Sequence, residues 1–460
     1  MLLPLLAVTN LWVFGIRYFD SDRDTAEMMS VVDRAAACGY NGLVLGTGRL
    51  YTGDWWDDSA AIRTRLCTRR PDEAGLEAGS VMSTDRLARI RTLQRQASAK
   101  GVELIPLVWS VGYNSMKDAD LGFAAVRRAR TPRKMTGLRT LPELEGMCAG
   151  EAHTVVRRAT IATEPHGTCR LTGEYATDDI YYADPAHGGW GCGVRMVAYA
   201  ADGRRELDFI APKGGMTRGW TPFTLDFNAG TSTEVTLALG KFWEDTPMKG
   251  TCRFRNVRLA PREASAEWEP ILFGGVQSSA CLTNPKLFAY FKTSAAEIQR
   301  QLRPKTWFLS MDEIRVRCEC DRCRASKTSF AERLKRVLRA QYDAIRAVAP
   351  EATVVCWSDM LDPGHSAPAS DVVEALPKDV VIALWHGGRK KESAAFFRSR
   401  GYRVLGAGFY DKTDAAATAA DAKAWRGVAD FGTMYTTWAG TNSCATGDYR
   451  FLEDFSNRIH

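Results

Sequence analysis

The 460-residue chain has no apolar run long enough to cross a bilayer. Charge of one sign is also scarce. Sixty-one basic residues stand against 54 acidic ones, interspersed, for a net +7. No membrane and no nucleic-acid partner is therefore expected. The densest basic stretch, Arg127, Arg128 and Arg130 with Arg133 and Lys134, reads as a solvated linker. No glycine-rich phosphate turn follows the first strand, and Gly46-Thr47-Gly48 is too short for a nucleotide fingerprint. No cofactor is expected. Disorder is excluded by composition, 45% hydrophobic and 25% charged, which is that of a chain with a sizeable core. The apolar start, Met1 to Val8, lacks a basic flank and is too short to span a bilayer. The expectation is an extracytoplasmic protein, periplasmic or secreted, whose signal peptide is not part of this sequence. A cytoplasmic protein is the alternative.

What the chain does have is aromatics and thiols. Thirteen Trp is a high count, and exposed indoles suit the flat apolar faces of sugars. The twelve Cys fit either reduced buried thiols or a few disulfides. Cys318, Cys320 and Cys323 fall within six residues and could begin a metal site. With no second CxxC elsewhere, a disulfide or a thiol cluster bracing a loop is the favoured reading, and no metal ligand is assigned. Cys444, His386 or His365 could complete a metal site only through the fold.

Short β-branched runs alternate with longer helical stretches, which predicts parallel βαβ units. Strands over 12–19, 41–46 and 102–110 are joined by helices over 25–38 and 83–100. From about 139 to 262 the helical period disappears. Short alternating runs replace it, at 180–182, 194–199, 206–210, 223–227, 234–239 and 252–259, a spacing that reads as an all-β sandwich. The rhythm then resumes with helix 284–302, strand 306–314, helix 329–348, strand 353–358, helix 369–376, strand 380–385, helix 391–400, strand 403–409, helix 414–428, strand 432–438 and a last helix from about 449. Three strands before the insertion and five after it make the eight that a closed barrel needs. The predicted fold is α/β: a (β/α)8 TIM barrel over residues 1–138 and 266–460, with an inserted all-β sandwich of jelly-roll type over 139–265.

Barrel chemistry collects at the C-terminal strand ends. Those positions hold Arg17, Trp109, Asp312-Glu313, Trp357 with Asp359, Trp385-His386, Tyr410-Asp411 and Trp438. Rings of this kind stack on pyranose faces, charged groups grip hydroxyls, and a carboxylic acid protonates a leaving oxygen. Two adjacent carboxyls raise one another's pKa, which keeps one protonated for that task. Asp312-Glu313 can equally be a helix cap or a salt-bridge partner of Arg315 or Arg317. His386 reads as an acid/base, a sugar partner or a satisfied polar residue. Asp359 and Asp411 can bind hydroxyls or cap the next helix.

In order and spacing these residues resemble the family 20 β-N-acetylhexosaminidases. The resemblance implies a glycosidase acting on an oligosaccharide or glycoconjugate, with oligomeric state left open. It implies Glu313 as general acid/base and Asp312 orienting a substrate acetamido group that itself attacks the anomeric carbon. It implies Arg17 as the sugar-gripping Arg, Trp357, Trp385 and Trp438 as pocket walls, and Tyr410 as the acetamido partner. The run before the pair, Phe308-Leu309-Ser310-Met311, departs from the family's His and Gly. Two alternatives stand beside it. One is a retaining glycosidase with a separate nucleophile, Asp359 or Asp411; the other is a catalytically silent glycan-binding protein. The insertion is similar to jelly-roll carbohydrate-binding modules, with Trp190, Trp220 and Trp243 as stacking residues or as sandwich core.

Overall fold

The computed structural model describes residues 10–16, 19, 22–46, 84–112, 126–128, 133–134, 137, 139–150, 154–165, 167–182, 194–201, 203, 206–210, 218–229, 232–242, 248–261, 268–270, 279–311, 314, 320–365, 367–385, 389–410, 414–437 and 449–459. The first βα units are β1 (Leu11–Ile16), α1 (Asp22–Ala37), β2 (Gly42–Gly46), α2 (Thr84–Ala99) and β3 (Glu103–Val108).

Twelve strands follow. They are β4 (Val126–Arg128), β5 (Arg133–Lys134), β6 (Arg139–Thr140), β7 (Gly146–Cys148), β8 (Thr154–Ala162) and β9 (Gly167–Tyr182). Then come β10 (Arg195–Tyr199), β11 (Glu206–Ile210), β12 (Arg218–Asn228), β13 (Glu234–Phe242), β14 (Met248–Pro261) and β15 (Trp268–Pro270). The chain returns to βα units with α3 (Pro285–Leu302), β16 (Thr306–Leu309), α4 (Asp321–Ala325), α5 (Phe330–Val348) and β17 (Thr353–Trp357). It ends with β18 (Val381–Trp385), α6 (Lys390–Arg398), β19 (Arg403–Phe409), α7 (Ala415–Trp425), β20 (Gly432–Thr436) and α8 (Leu452–Ile459).

Eight parallel strands close into a barrel in the order β1-β2-β3-β16-β17-β18-β19-β20, with β20 pairing back onto β1. This is the (β/α)8 architecture that the sequence rhythm predicts. Strand alternation divides each strand's side chains between lumen and helices. Gly15 faces outward, since a Cβ there would collide with the Tyr449 hydroxyl. Its neighbour Phe14 therefore points inward, and meets Trp357 at 5.8 Å between ring centroids. β1 and β17 lie on opposite sides of the barrel, so that contact crosses the lumen. The lumen is thus packed core, not a pore.

The other strands form two stacked layers. One sheet runs β11-β10-β13-β8; the other runs β12-β9-β14-β6, joined by β5 on β9 and β7 on β14. Leu171, Tyr175, Phe223, Leu225, Phe227, Leu237, Leu239 and Phe254 fill the space between them. β4 and β15 pair with each other, so the chain leaves for the sandwich and comes back through one two-stranded ribbon.

Helix ends follow local chemistry. Asn284 caps α3, its side chain accepting from the Lys286 backbone, with Pro285 in the first turn. Ser329 and Glu332 form a reciprocal capping box on α5. The helix expected over 369–376 is instead a single 3-10 turn at Val372–Ala375. Pro377 ends it, because the residue before a proline is pushed out of the helical region, and Leu376 is extended with ψ 136°.

Candidate active site at the barrel mouth

The C-terminal end of the barrel is floored by aromatic rings. Phe308 of β16 packs against Trp357 at 4.9 Å, and Trp385, last in β18, meets Trp357 edge-on at 5.6 Å. Trp357 is fully buried, whereas Trp385 is half-buried at the strand's outer end. The pair forms an indole column rising from the lumen toward the mouth. Trp357 Nε1 is buried and finds no hydrogen-bond partner among the described residues.

The loop after β17 holds that column. Ser358 donates its backbone N–H to Ala383 O, and its hydroxyl accepts from the Trp385 N–H at 3.0 Å. Leu361 and Asp362 N–H groups turn back onto Ser358 O, and the Asp362 carboxylate accepts from Gly364 N–H. The tight turn carries a buried carboxyl, Asp359, with His365 Nε2 at 4.0 Å from its Oδ1. In the sequence alone His365 is only a candidate metal ligand. Its signal was a histidine closing Asp362-Pro363-Gly364, a turn-forming run that brings it back toward Asp359.

The loop after β16 packs against this one. Met311 and Ile314 are both fully buried, and Ile314 N–H donates to Met360 Sδ at 3.3 Å. Asp312 and Glu313, the expected catalytic pair, lie between those two anchors in the chain but outside the described residues. Arg17, His386, Asp411 and Trp438 also lie outside the described residues, as do Trp190 and Trp243.

Two expected mouth residues point elsewhere. Trp109 was expected to face the mouth, but its ring sits under the helices. Its Nε1 donates to Ser294 Oγ of α3 at 2.8 Å, and its ring packs on Phe291 and Trp307. Its backbone takes a left-handed φ of 57°, and its carbonyl accepts from Gln341 of α5. That conformation turns the ring outward at the end of β3. Tyr410 was expected to grip an acetamido group, but it is buried between barrel and helices. It stacks on Tyr435 at 4.8 Å and meets Phe455 of α8 edge-on. Its hydroxyl donates to Asp421 of α7 at 2.7 Å, and Asp421 also holds Lys390. Burial first, and the Asp421 carboxylate second, hold this phenol well above its usual range. It remains a protonated donor locked to α7.

The structure gathers one further group. Cys281, just before α3, meets Cys320 at 3.5 Å and Cys323 at 3.9 Å, Sγ to Sγ. All three are buried, and no disulfide joins any of the described cysteines. Cys318 and Cys444 lie outside the described residues. On the sandwich, Trp220 of β12 is exposed, with the Arg255 guanidinium 4.1 Å above its ring.

No family model and no curated protein matches the chain. Among solved structures, the chain is similar at low level to a β-N-acetylhexosaminidase from Bacteroides fragilis. It is 10% identical with a TM-score of 0.45, over 97% of this chain and 65% of that one. Dispersin B is 11% identical with a TM-score of 0.40, over 98% of this chain and 97% of its own. A structure described as CBM4 is 12% identical with a TM-score of 0.19, over 24% of this chain and 63% of that one. Likeness at this distance assigns no reaction.

Proposed function

We propose that the chain is a glycoside hydrolase that removes terminal sugars of N-acetylhexosamine type at the barrel mouth. What carries this reading is Trp385, half-buried at the C-terminal end of β18 and backed by the buried Trp357, with the buried carboxyl of Asp359 in the loop that follows β17. A ring face with carboxyls around it suits a pyranose, whose axial hydrogens stack on indole and whose hydroxyls need acceptors. The order of mouth residues supports the same class, since Asp312-Glu313 follows β16 directly in the chain.

In this reading Glu313 protonates the glycosidic oxygen, and the bond to the leaving sugar breaks as the substrate's acetamido oxygen attacks the anomeric carbon. Asp312 holds the acetamido N–H and stabilises the cyclic intermediate. Glu313, now a carboxylate, takes a proton from water, which opens that ring and restores the acid. Aryl N-acetylhexosaminides set against aryl hexosides test the substrate class. Glu313→Gln should lower kcat about a hundredfold to ten-thousandfold, with an unchanged far-ultraviolet spectrum. Wild-type turnover in that variant removes Glu313 from the mechanism.

One observation favours a second reading. Asp359 is buried, fixed in a tight turn and close to an imidazole, which suits a carboxylate nucleophile. A 2-fluoro sugar that leaves a covalent adduct on Asp359 selects it over the substrate-assisted route.

A further inference from the structure

The thiol cluster beside the mouth is used by neither mechanism. Cys320 and Cys323 come from one tight turn at the start of α4, in the CxxC spacing that lets two sulfurs share a metal. Cys281 reaches them from 39 residues earlier in the chain, just before α3. All three Sγ atoms lie within 4.8 Å of one another. Zinc–sulfur bonds of about 2.3 Å in a tetrahedron put thiolates about 3.8 Å apart. The observed 3.5 and 3.9 Å bracket that spacing. A disulfide would join two sulfurs at about 2.05 Å and strand the third.

The surrounding frame is already in place. Arg333 of α5 is almost wholly buried and donates to Cys323 O at 2.6 Å and to Thr328 Oγ1 at 2.9 Å. Ser326 Oγ donates to the same Cys323 carbonyl. The turn that presents the two sulfurs is thus fixed from behind, and a guanidinium sits beside a site whose three thiolates and one divalent cation would sum to −1. Thr283 Oγ1 lies 3.3 Å from Cys281 Sγ and 3.6 Å from Cys323 Sγ, a hydroxyl placed to hydrogen-bond to thiolate sulfur. Among the described residues no fourth His, Cys, Asp or Glu joins the three.

We propose that Cys281, Cys320 and Cys323 bind one zinc ion, which ties the segment entering α3 to the turn that follows β16. Binding releases the thiol protons to solvent and forms three Zn–S bonds, a solvent water taking the fourth tetrahedral position, with no change of oxidation state. The role is structural. Both tied segments lie on the mouth side of the barrel, one before α3 and one after β16, so the ion staples the approach to β16 to its exit. This holds whatever reaction the mouth performs.

The test uses the full chain, purified with a non-thiol reductant and dialysed against metal-free buffer. Elemental analysis should give about one zinc per chain, and Cys320→Ser with Cys323→Ser should lose it. Chelator should lower the Tm and expose three further thiols to a disulfide reagent. Should the double variant fail to fold, wild-type chain refolded with cobalt alone should show thiolate-to-cobalt charge-transfer absorption in the near ultraviolet. A chain with less than a tenth of an equivalent of zinc and no cobalt band overturns the proposal. So does a mass two hydrogens short, mapped by peptide analysis to a bond between Cys281 and either partner.

Discussion

Gly406 on β19 faces the helices, and a methyl group built on it would lie 2.4 Å from the ring of Trp425. Trp425 is fully buried and cannot withdraw. Gly406→Ala should therefore cost about 1–3 kcal/mol, read as a lower denaturant midpoint at constant slope. An unchanged midpoint would mean that α7 is free to lift off the barrel. The same inside-or-outside choice governs the aromatic residues of the mouth. Trp385 ends its strand on the lumen side, and Trp385→Ala should raise KM about tenfold while kcat moves less. An unaltered KM would take that ring out of the sugar site. The sequence makes the level of each strand-end residue legible but not its side. Trp357 and Trp109 both sit at strand ends, yet one faces the lumen and the other α3. The left-handed turn at Trp109 reverses the strand's alternation, and no residue type marks it in advance. Cys281 was illegible as a partner of Cys320 for another reason: only the fold closes a gap of that length.

Elements were read best where their ends carry chemistry. Ser329 Oγ accepts from Glu332 N–H at 3.1 Å, and the Glu332 carboxylate accepts from Ser329 N–H at 2.7 Å. That box stands in the sequence as Ser-x-x-Glu ahead of an apolar stripe. Ser329→Ala should lower stability by about 1 kcal/mol in chemical denaturation. The backbone N–H of Ser329 holds the Glu332 carboxyl below its usual range. The carboxylate's share is thus present above the unfolded-state pKa and is lost as pH falls through the lower, folded-state value. Glu332→Gln should flatten that part of the stability–pH curve, and an identical curve would assign the cap to Ser329 alone. β8 shows the opposite case. Arg157 and Arg158 interrupt its alternation, and no strand was expected there. Its edge is legible only once β13 pairs along its whole length and Arg157 reaches Glu143 O.

At the scale of the whole molecule, the count of eight βα units and the loss of helical period in the middle were both visible in the sequence, because each depends on many residues at once. What the sandwich does is not legible in the sequence, since it turns on which indoles are exposed, and among the described residues Trp220 is. If Trp220 stacks on sugars, Trp220→Ala should lose retardation in gels containing the polysaccharide substrate, and equal mobility would leave the ring a packing partner of Arg255. The ribbon of β4 and β15 has a further consequence. β3 and β16 are adjacent staves of the barrel, yet roughly 200 residues separate them along the chain. A chain that had to close so wide a gap unaided would fold slowly. With the guest module folded first and its two stems zipped together, the host experiences only a short tether. Barrel assembly should accordingly wait on the module, and lesions confined to the sandwich interior should delay refolding of a site they never touch.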